Sequence, residues 1–232
     1  MCTVSYIPLS GNDYILTHNR DVGKNRPPAK APDYHDYNDT RILHPTDPQG
    51  GGTWNAISDT QHAFILNGAD YDYFPDFDAK KSRGSICIDI LTGSIQFPED
   101  KNLTNYDDFT LMHMPRNRSD FNDINEWRWN GSELVYVKRE IHVPQFWISR
   151  GLYSFSDYVR KENAFRKLLD SLQKIKNTDQ KAEKILEFHS QKEVFGEEGF
   201  LIDRETAVAT VSITQVKSYE NKEEMNYYDI SD

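Results

Sequence analysis

Cys2 directly follows the initiator methionine. A methionine before a small residue such as cysteine is commonly trimmed, so Cys2 is expected to become an amino terminus carrying both a thiol and a free α-amino group. Such an amine has an ordinary pKa of about 7.7–8.0, the range in which a general base works near neutral pH. A nucleophile that uses its own amine as base is one way to activate Ser, Thr or Cys. Only Cys2 and Cys87 are present. Two cysteines suggest neither a disulfide framework nor a cysteine-based metal site, and Cys87 reads as a small buried hydrophobe.

Several elements must position that thiol. Residues 1–21 read as a hairpin, two β-rich runs about a turn of Ser10, Gly11, Asn12 and Asp13. Residues 22–52, with five prolines and the run Gly50-Gly51-Gly52, show no period and are expected to be an irregular loop or substrate lid. Residues 53–58 and 62–66 read as short strands joined at Asp59-Thr60, and Asn67-Gly68 ends the second with turn chemistry. Residues 70–78 alternate acids with Tyr and Phe, fit no EF-hand spacing and read as an aromatic-packed loop.

A short helix is expected over 82–91, capped by Ser82, and a strand over 108–113. Residues 126–129 and 133–137 flank Asn130-Gly131 as a hairpin, and 145–153 continues as a strand. At Ser156 the period changes to that of a helix, with Tyr158, Phe165, Leu168, Leu169, Leu172 and Ile175 apolar; Ser156 and Asp157 are the expected cap. Thr178-Asp179 is expected to cap a second helix with Ala182, Ile185, Leu186 and His189 on one face. The Lys and Glu residues of both helices read as solvated, and His189 as a surface or helix-end residue. Strands over 206–216 and 225–230 close the chain. Runs of strands alternating with runs of helices predict α+β layers rather than βαβ units.

Composition narrows the function. At 232 residues, with 37% hydrophobic and 12% aromatic residues, one β-rich domain spanning 1–232 is expected. A net charge of −10 without a Lys/Arg run argues against a nucleic-acid partner or an anionic membrane surface. No apolar stretch approaches the roughly 18 residues of a membrane span, and Pro8, Gly11, Asn12 and Asp13 break any signal-peptide core. A cytoplasmic location is therefore expected. P-loop, dinucleotide and zinc spacings are absent, and the sequence calls for no cofactor or metal.

Three stretches together resemble a known family: Met1-Cys2-Thr3; Leu16-Thr17-His18-Asn19-Arg20-Asp21; and Gly51-Gly52-Thr53-Trp54 followed by Leu66-Asn67-Gly68. They are similar to the NRDE family, also called the transport and Golgi organisation protein 2 family. The family signature is Asn-Arg-Asp-Glu, and here Val22 stands at its fourth position. Ser82-Arg83-Gly84 and residues 209–214 also look like that family.

The family in turn resembles the N-terminal nucleophile hydrolases of the bile acid hydrolase and penicillin V acylase type. That resemblance implies a four-layer αββα sandwich, with Cys2 as nucleophile, Asp21 as the carboxylate that holds the amine, and Asn67 as an oxyanion donor. Asn19, Arg20 and His18 would bind substrate, with His18 at the hydrolases' arginine position and Arg20 as the nearby cation. The hydrolases' later asparagine pair has no clear equivalent near Ser149-Arg150, and their last arginine is matched to Arg204. The implied activity is hydrolysis of an amide or thioester, or acyl transfer from it. The alternative is a non-catalytic haem- or acyl-CoA-binding trafficking protein, for which His18, His35, His44 and His62 are candidate haem contacts.

Overall fold

The computed structural model describes residues 2–69, 81–99, 103–116, 123–150, 153–192, 199–203, 208–219 and 222–230. Its elements in order are β1 (Cys2–Pro8), β2 (Tyr14–Gly23), β3 (Lys30–Tyr37), β4 (Thr40–Thr46), β5 (Asn55–Ser58), β6 (Gln61–Asn67), α1 (Ser85–Leu91), β7 (Phe109–Pro115), β8 (Asp123–Trp129), β9 (Leu134–Glu140), β10 (Gln145–Ile148), α2 (Phe155–Leu172), α3 (Thr178–His189), β11 (Val208–Tyr219) and β12 (Lys222–Asp229). The chain forms two compact units, one built mainly from residues 27–143 and the other from 2–26, 144–148 and 152–232.

The second unit holds an antiparallel sheet in the order β10-β1-β2-β11-β12. The first two strands form the expected hairpin, in register from Cys2 opposite Arg20 to Pro8 opposite Tyr14. Gly11 takes φ +63 at its tip, a conformation glycine adopts freely. Helices α2 and α3 pack on this sheet. Ile7 and Ile15 meet Phe165, Leu168, Leu172, Ile185, Phe188 and Phe200 in one apolar cluster, each such side chain contributing about 1.5–3 kcal/mol on burial. The cap of α2 is Ser154, not Ser156. Its hydroxyl accepts from the Asp157 backbone N–H, and the Asp157 carboxylate accepts from the Ser154 N–H in return. Asn177 caps α3 by accepting from the Gln180 N–H.

The first unit holds a seven-stranded antiparallel sheet, β3-β4-β5-β6-β7-β8-β9. The expected loop over 22–52 is instead the end of β2 and the hairpin β3-β4, turned at Asn38 with φ 51. Strand β3 is a largely exposed edge strand whose register slips between Lys30 and Asp33, which is where Pro32 is tolerated. Helix α1 begins after Gly84 without a side-chain cap; Ser82 contributes its carbonyl to the preceding turn. Cys87 is buried, as expected. The loop expected over 70–78 lies outside the described residues.

The four-layer αββα sandwich is not what the chain builds. The described residues form twelve strands in two antiparallel sheets and only three helices. The α2–α3 pair covers one sheet, whereas α1, with 7 residues, is too short to form a helical layer on the other. The fold is sheet-rich because β3-β4, β5-β6 and β8-β9 are local hairpins, whose pairing needs no crossover helix.

Candidate active site

Strand alternation decides which side chains the hairpin brings together. Residues Ser5, Thr17 and Asn19 point to the face that carries α2 and α3. Ser5 Oγ lies 2.7 Å from His189 Nε2, and Gln215 Nε2 donates both to Thr17 Oγ1 and to the Ala182 carbonyl. Asp21 has the same parity. Cys2, His18 and Arg20 have the opposite parity and point away from the helices. Cys2 stands opposite Arg20 in the ladder.

The thiol and the Asp21 carboxylate therefore leave the sheet on opposite faces. They are coupled through the backbone, because the Asp21 N–H donates to the Cys2 sulfur. Cys2 is enclosed, at 4% exposure. Burial raises its thiol pKa, while the charges of the amino terminus and Arg20 act the other way. The cation Arg20 shares the face of the thiol.

Asp21 is fully buried. Thr210 Oγ1 donates to its Oδ1 at 2.7 Å and Tyr153 OH to its Oδ2 at 3.3 Å. Thr210 is its partner across the ladder, beside a register shift between Thr210 and Ser212. Burial raises the carboxyl pKa from the ordinary 3.8 to about 6, against the lowering effects of the Thr210 bond, the amino-terminal charge, Lys161 and the Tyr153 bond. A buried carboxyl with a pKa near neutrality, beside a cysteine, is a pattern typical of functional sites.

Asn19 faces the helices and is committed there. Its Nδ2 donates to the carbonyls of His189 and Phe200, and its Oδ1 lies 2.7 Å from His189 Nδ1. His189 does end α3, but it is fully buried rather than at the surface, and burial lowers its pKa to about 3. Neutral His189 thus ties the end of α3 to β1 and β2 through Ser5 and Asn19.

Sequence reasoning missed Lys161, Tyr153 and Thr210. Lys161 was readable in principle. It lies four positions before Phe165 and seven before Leu168, on the buried stripe of α2 rather than the solvated face expected of its lysines.

Asn67 belongs to the first unit, where it ends β6 opposite Phe109. The turn after it is tightly held. Gly68, at φ 88, donates its N–H to the Asp108 carbonyl and accepts from Thr110 Oγ1 at 2.6 Å. Arg83 Nη1 donates to the same Asp108 carbonyl at 3.0 Å.

The candidate haem contacts lie on three strands of the first unit and one of the second. His35 and His44 stack at 4.4 Å between β3 and β4, and His44 Nε2 is 2.9 Å from Tyr37 OH. His62 is buried against Asn55 Oδ1 on β6, and His18 belongs to the other unit. Arg204 lies outside the described residues. Among the described residues, no group of three or more His, Cys, Asp or Glu side chains could hold a metal ion, and no helix is long and apolar enough to cross a membrane.

Comparison with protein families gives a match over residues 1–228 to the family described as Transport and Golgi organisation 2. The chain belongs to that family. Its membership fits a trafficking-related protein. No curated protein matches the sequence. Placed on this structure, the motifs of the Transport and Golgi organisation 2 resemblance divide between the units. Cys2-Thr3 and residues 16–21 lie in the hairpin of the second unit, while Gly51–Trp54, Asn67-Gly68 and Ser82–Gly84 lie in the first.

Proposed function

We propose that this chain is an N-terminal cysteine nucleophile that takes an acyl group from an amide or thioester and passes it to water or another acceptor. The observation that carries the reading is the Asp21 carboxylate. It is buried, held by Thr210 and Tyr153, and set at the sheet end where β1 begins.

Removal of Met1 makes Cys2 the terminal residue. Its amine, oriented by Asp21, takes the thiol proton, and Arg20 favours the resulting thiolate. The thiolate attacks the substrate carbonyl and forms a tetrahedral oxyanion. Collapse breaks the bond to the leaving nitrogen or sulfur, which receives the proton from the ammonium, and leaves an S-acyl Cys2. Water or a second acceptor then attacks the thioester, losing its proton to the amine, and frees the thiolate. The family resemblance assigns Asn67 as oxyanion donor; loss of such a donor lowers kcat by about 10²–10³. His18 and Arg20, on the thiol's side of β2, are the proposed substrate contacts. Asn19 serves by fixing α3 to the hairpin. The whole of 1–232 acts as one catalytic domain on this reading.

The test uses protein shown by intact mass to lack Met1, with a panel of acyl amides and acyl thioesters. The expected result is an acyl adduct on Cys2 and turnover that Cys2→Ala abolishes. Turnover unaffected by Cys2→Ala, or a mature protein that retains Met1, overturns the mechanism. Saturable binding of haem or acyl-CoA with no adduct would support the carrier alternative instead.

A further inference from the structure

Lys161 is a buried cation that the mechanism above does not use. It sits on the apolar stripe of α2 at 3% exposure. A lysine there is costly unless its charge is compensated. The structure shows the compensation. Nζ donates to the Gly199 carbonyl at 2.5 Å and lies 4.7 Å from the ring centroids of both Tyr153 and Phe200. Two aromatic faces and one carbonyl solvate the ammonium. Tyr153 is also the residue whose hydroxyl donates to Asp21.

We propose that Lys161 is the internal counter-charge of Asp21, a positioning residue coupled to that carboxylate through Tyr153. Its place in catalysis rests on the cysteine-nucleophile reading above. With the ammonium against the Tyr153 ring and the Tyr153 hydroxyl on the carboxylate, the field of Lys161 stabilises ionised Asp21. It thereby widens the pH range over which Asp21 can hold a protonated amine. The direction agrees with the lowering effect of Lys161 on the Asp21 carboxyl.

Other charged and titratable groups surround the pair. The amino-terminal charge acts on Asp21, Cys2 and Asp21 influence each other, and Arg20 acts on Cys2. His189, on α3, feels the Lys161 charge; with a pKa of about 3 it stays neutral above pH 5. A role confined to structure, pinning residue 199 to α2, would leave the titration of Asp21 where it is.

The experiment titrates the Asp21 side-chain carboxyl by carbon NMR in full-length protein labelled at aspartate, with Asp21→Asn giving the assignment. Lys161→Gln keeps a donor for the Gly199 carbonyl and removes the charge; Lys161→Arg keeps the charge. Lys161→Gln is expected to raise the Asp21 midpoint by about one pH unit, and Lys161→Arg to leave it close to wild type. An unmoved midpoint in Lys161→Gln overturns the proposal. If that variant does not fold, the side-chain nitrogen of Lys161 is followed in wild type. Its shift should inflect at the Asp21 midpoint and lose that inflection in Asp21→Asn; no inflection overturns the proposal. Acyl transfer by wild type with no coupling between Lys161 and Asp21 refutes the Lys161 assignment and leaves the cysteine reading standing. Coupling in a chain that transfers no acyl group does the opposite.

Discussion

Replacing Asp21 by asparagine should stabilise the protein, and more so as pH rises. The carboxyl is fully buried, and its pKa is raised from 3.8 to about 6. The folded state therefore binds the Asp21 proton more tightly than the unfolded chain does. Stability contributed by the protonated form is complete below pH 3.8 and is lost as pH rises toward 6; above that, the ionised carboxylate weighs against the fold by a constant amount. At 1.36 kcal/mol per pH unit that amount is about 3 kcal/mol at pH 7.5, and about 1.5 kcal/mol at pH 5, where ionisation in the folded state is still slight. Asparagine fills the same space and can accept from Thr210, but its amide nitrogen faces the Tyr153 hydroxyl. The altered hydrogen bonding adds an offset that does not vary with pH. Urea unfolding of both proteins from pH 5 to pH 7.5 measures the difference, and effects of other groups cancel in it. The variant should gain about 1.5 kcal/mol on wild type across that range. A flat difference, or a wild type that gains on the variant as pH rises, would refute the reasoning. Acyl transfer should be lost in the same variant, since a neutral amide no longer stabilises the protonated amine.

Gly52→Ala should cost about 3 kcal/mol by the same urea assay, because a Cβ at Gly52 would lie 2.4 Å from the Gly84 backbone carbon, where no flexible side chain can yield; a cost below 1 kcal/mol would mean that the two segments separate easily. His189→Ala should cost about 3 kcal/mol, through its lost volume and the buried Ser5 and Asn19 groups left without it, with a matching fall in midpoint. Lowering the pH from 7 to 5 should destabilise wild type. His62 and His189 have pKa values lowered to about 3 and His113 to about 4 by burial, so each contributes stability that is present above 6.5 and lost as pH falls below it, about 2 kcal/mol each at pH 5, offset in part by Asp21. An unchanged urea midpoint between pH 7 and 5 would contradict this.

The parts of the fold readable from sequence were those set by local chemistry. The turn at Ser10–Asp13 and the Asn130-Gly131 hairpin announced their strands because both turns select the register of the residues beside them. Helices α2 and α3 showed their buried stripes at the expected spacing, although each cap lies just before the residues chosen for it. Strands β3 and β4 did not show. An exposed edge strand has no buried face to impose alternation, and a proline at a bulge imitates a loop. At the site, the hairpin could place Cys2 near Asp21, but not show that the two side chains leave opposite faces. Thr210 and Tyr153 reach Asp21 from 189 and 132 residues away, contacts that no local pattern encodes.

The sequence motifs shared with the family do two physical jobs. Those of the second unit set the proposed nucleophile Cys2 and Arg20 on one face of the hairpin and Asp21 on the other. Those of the first unit mostly build a support. Gly52 and Gly84 let two backbones cross so closely that the Thr53 N–H reaches the Gly84 carbonyl at 3.1 Å. The crossing fixes the start of α1 and with it Arg83. Arg83 donates to the Asp108 carbonyl, which also accepts from Gly68, and the Asp108 carboxylate accepts from the Ala69 N–H at 3.3 Å. A chain of contacts thus runs from Gly51–Trp54 through Ser82–Gly84 to the turn after Asn67. The glycines and Arg83 thereby brace the turn at the end of β6. On the proposed mechanism, substitution at Cys2 or Asp21 removes chemistry and leaves the fold, whereas substitution at Gly52 or Gly84 weakens the fold first.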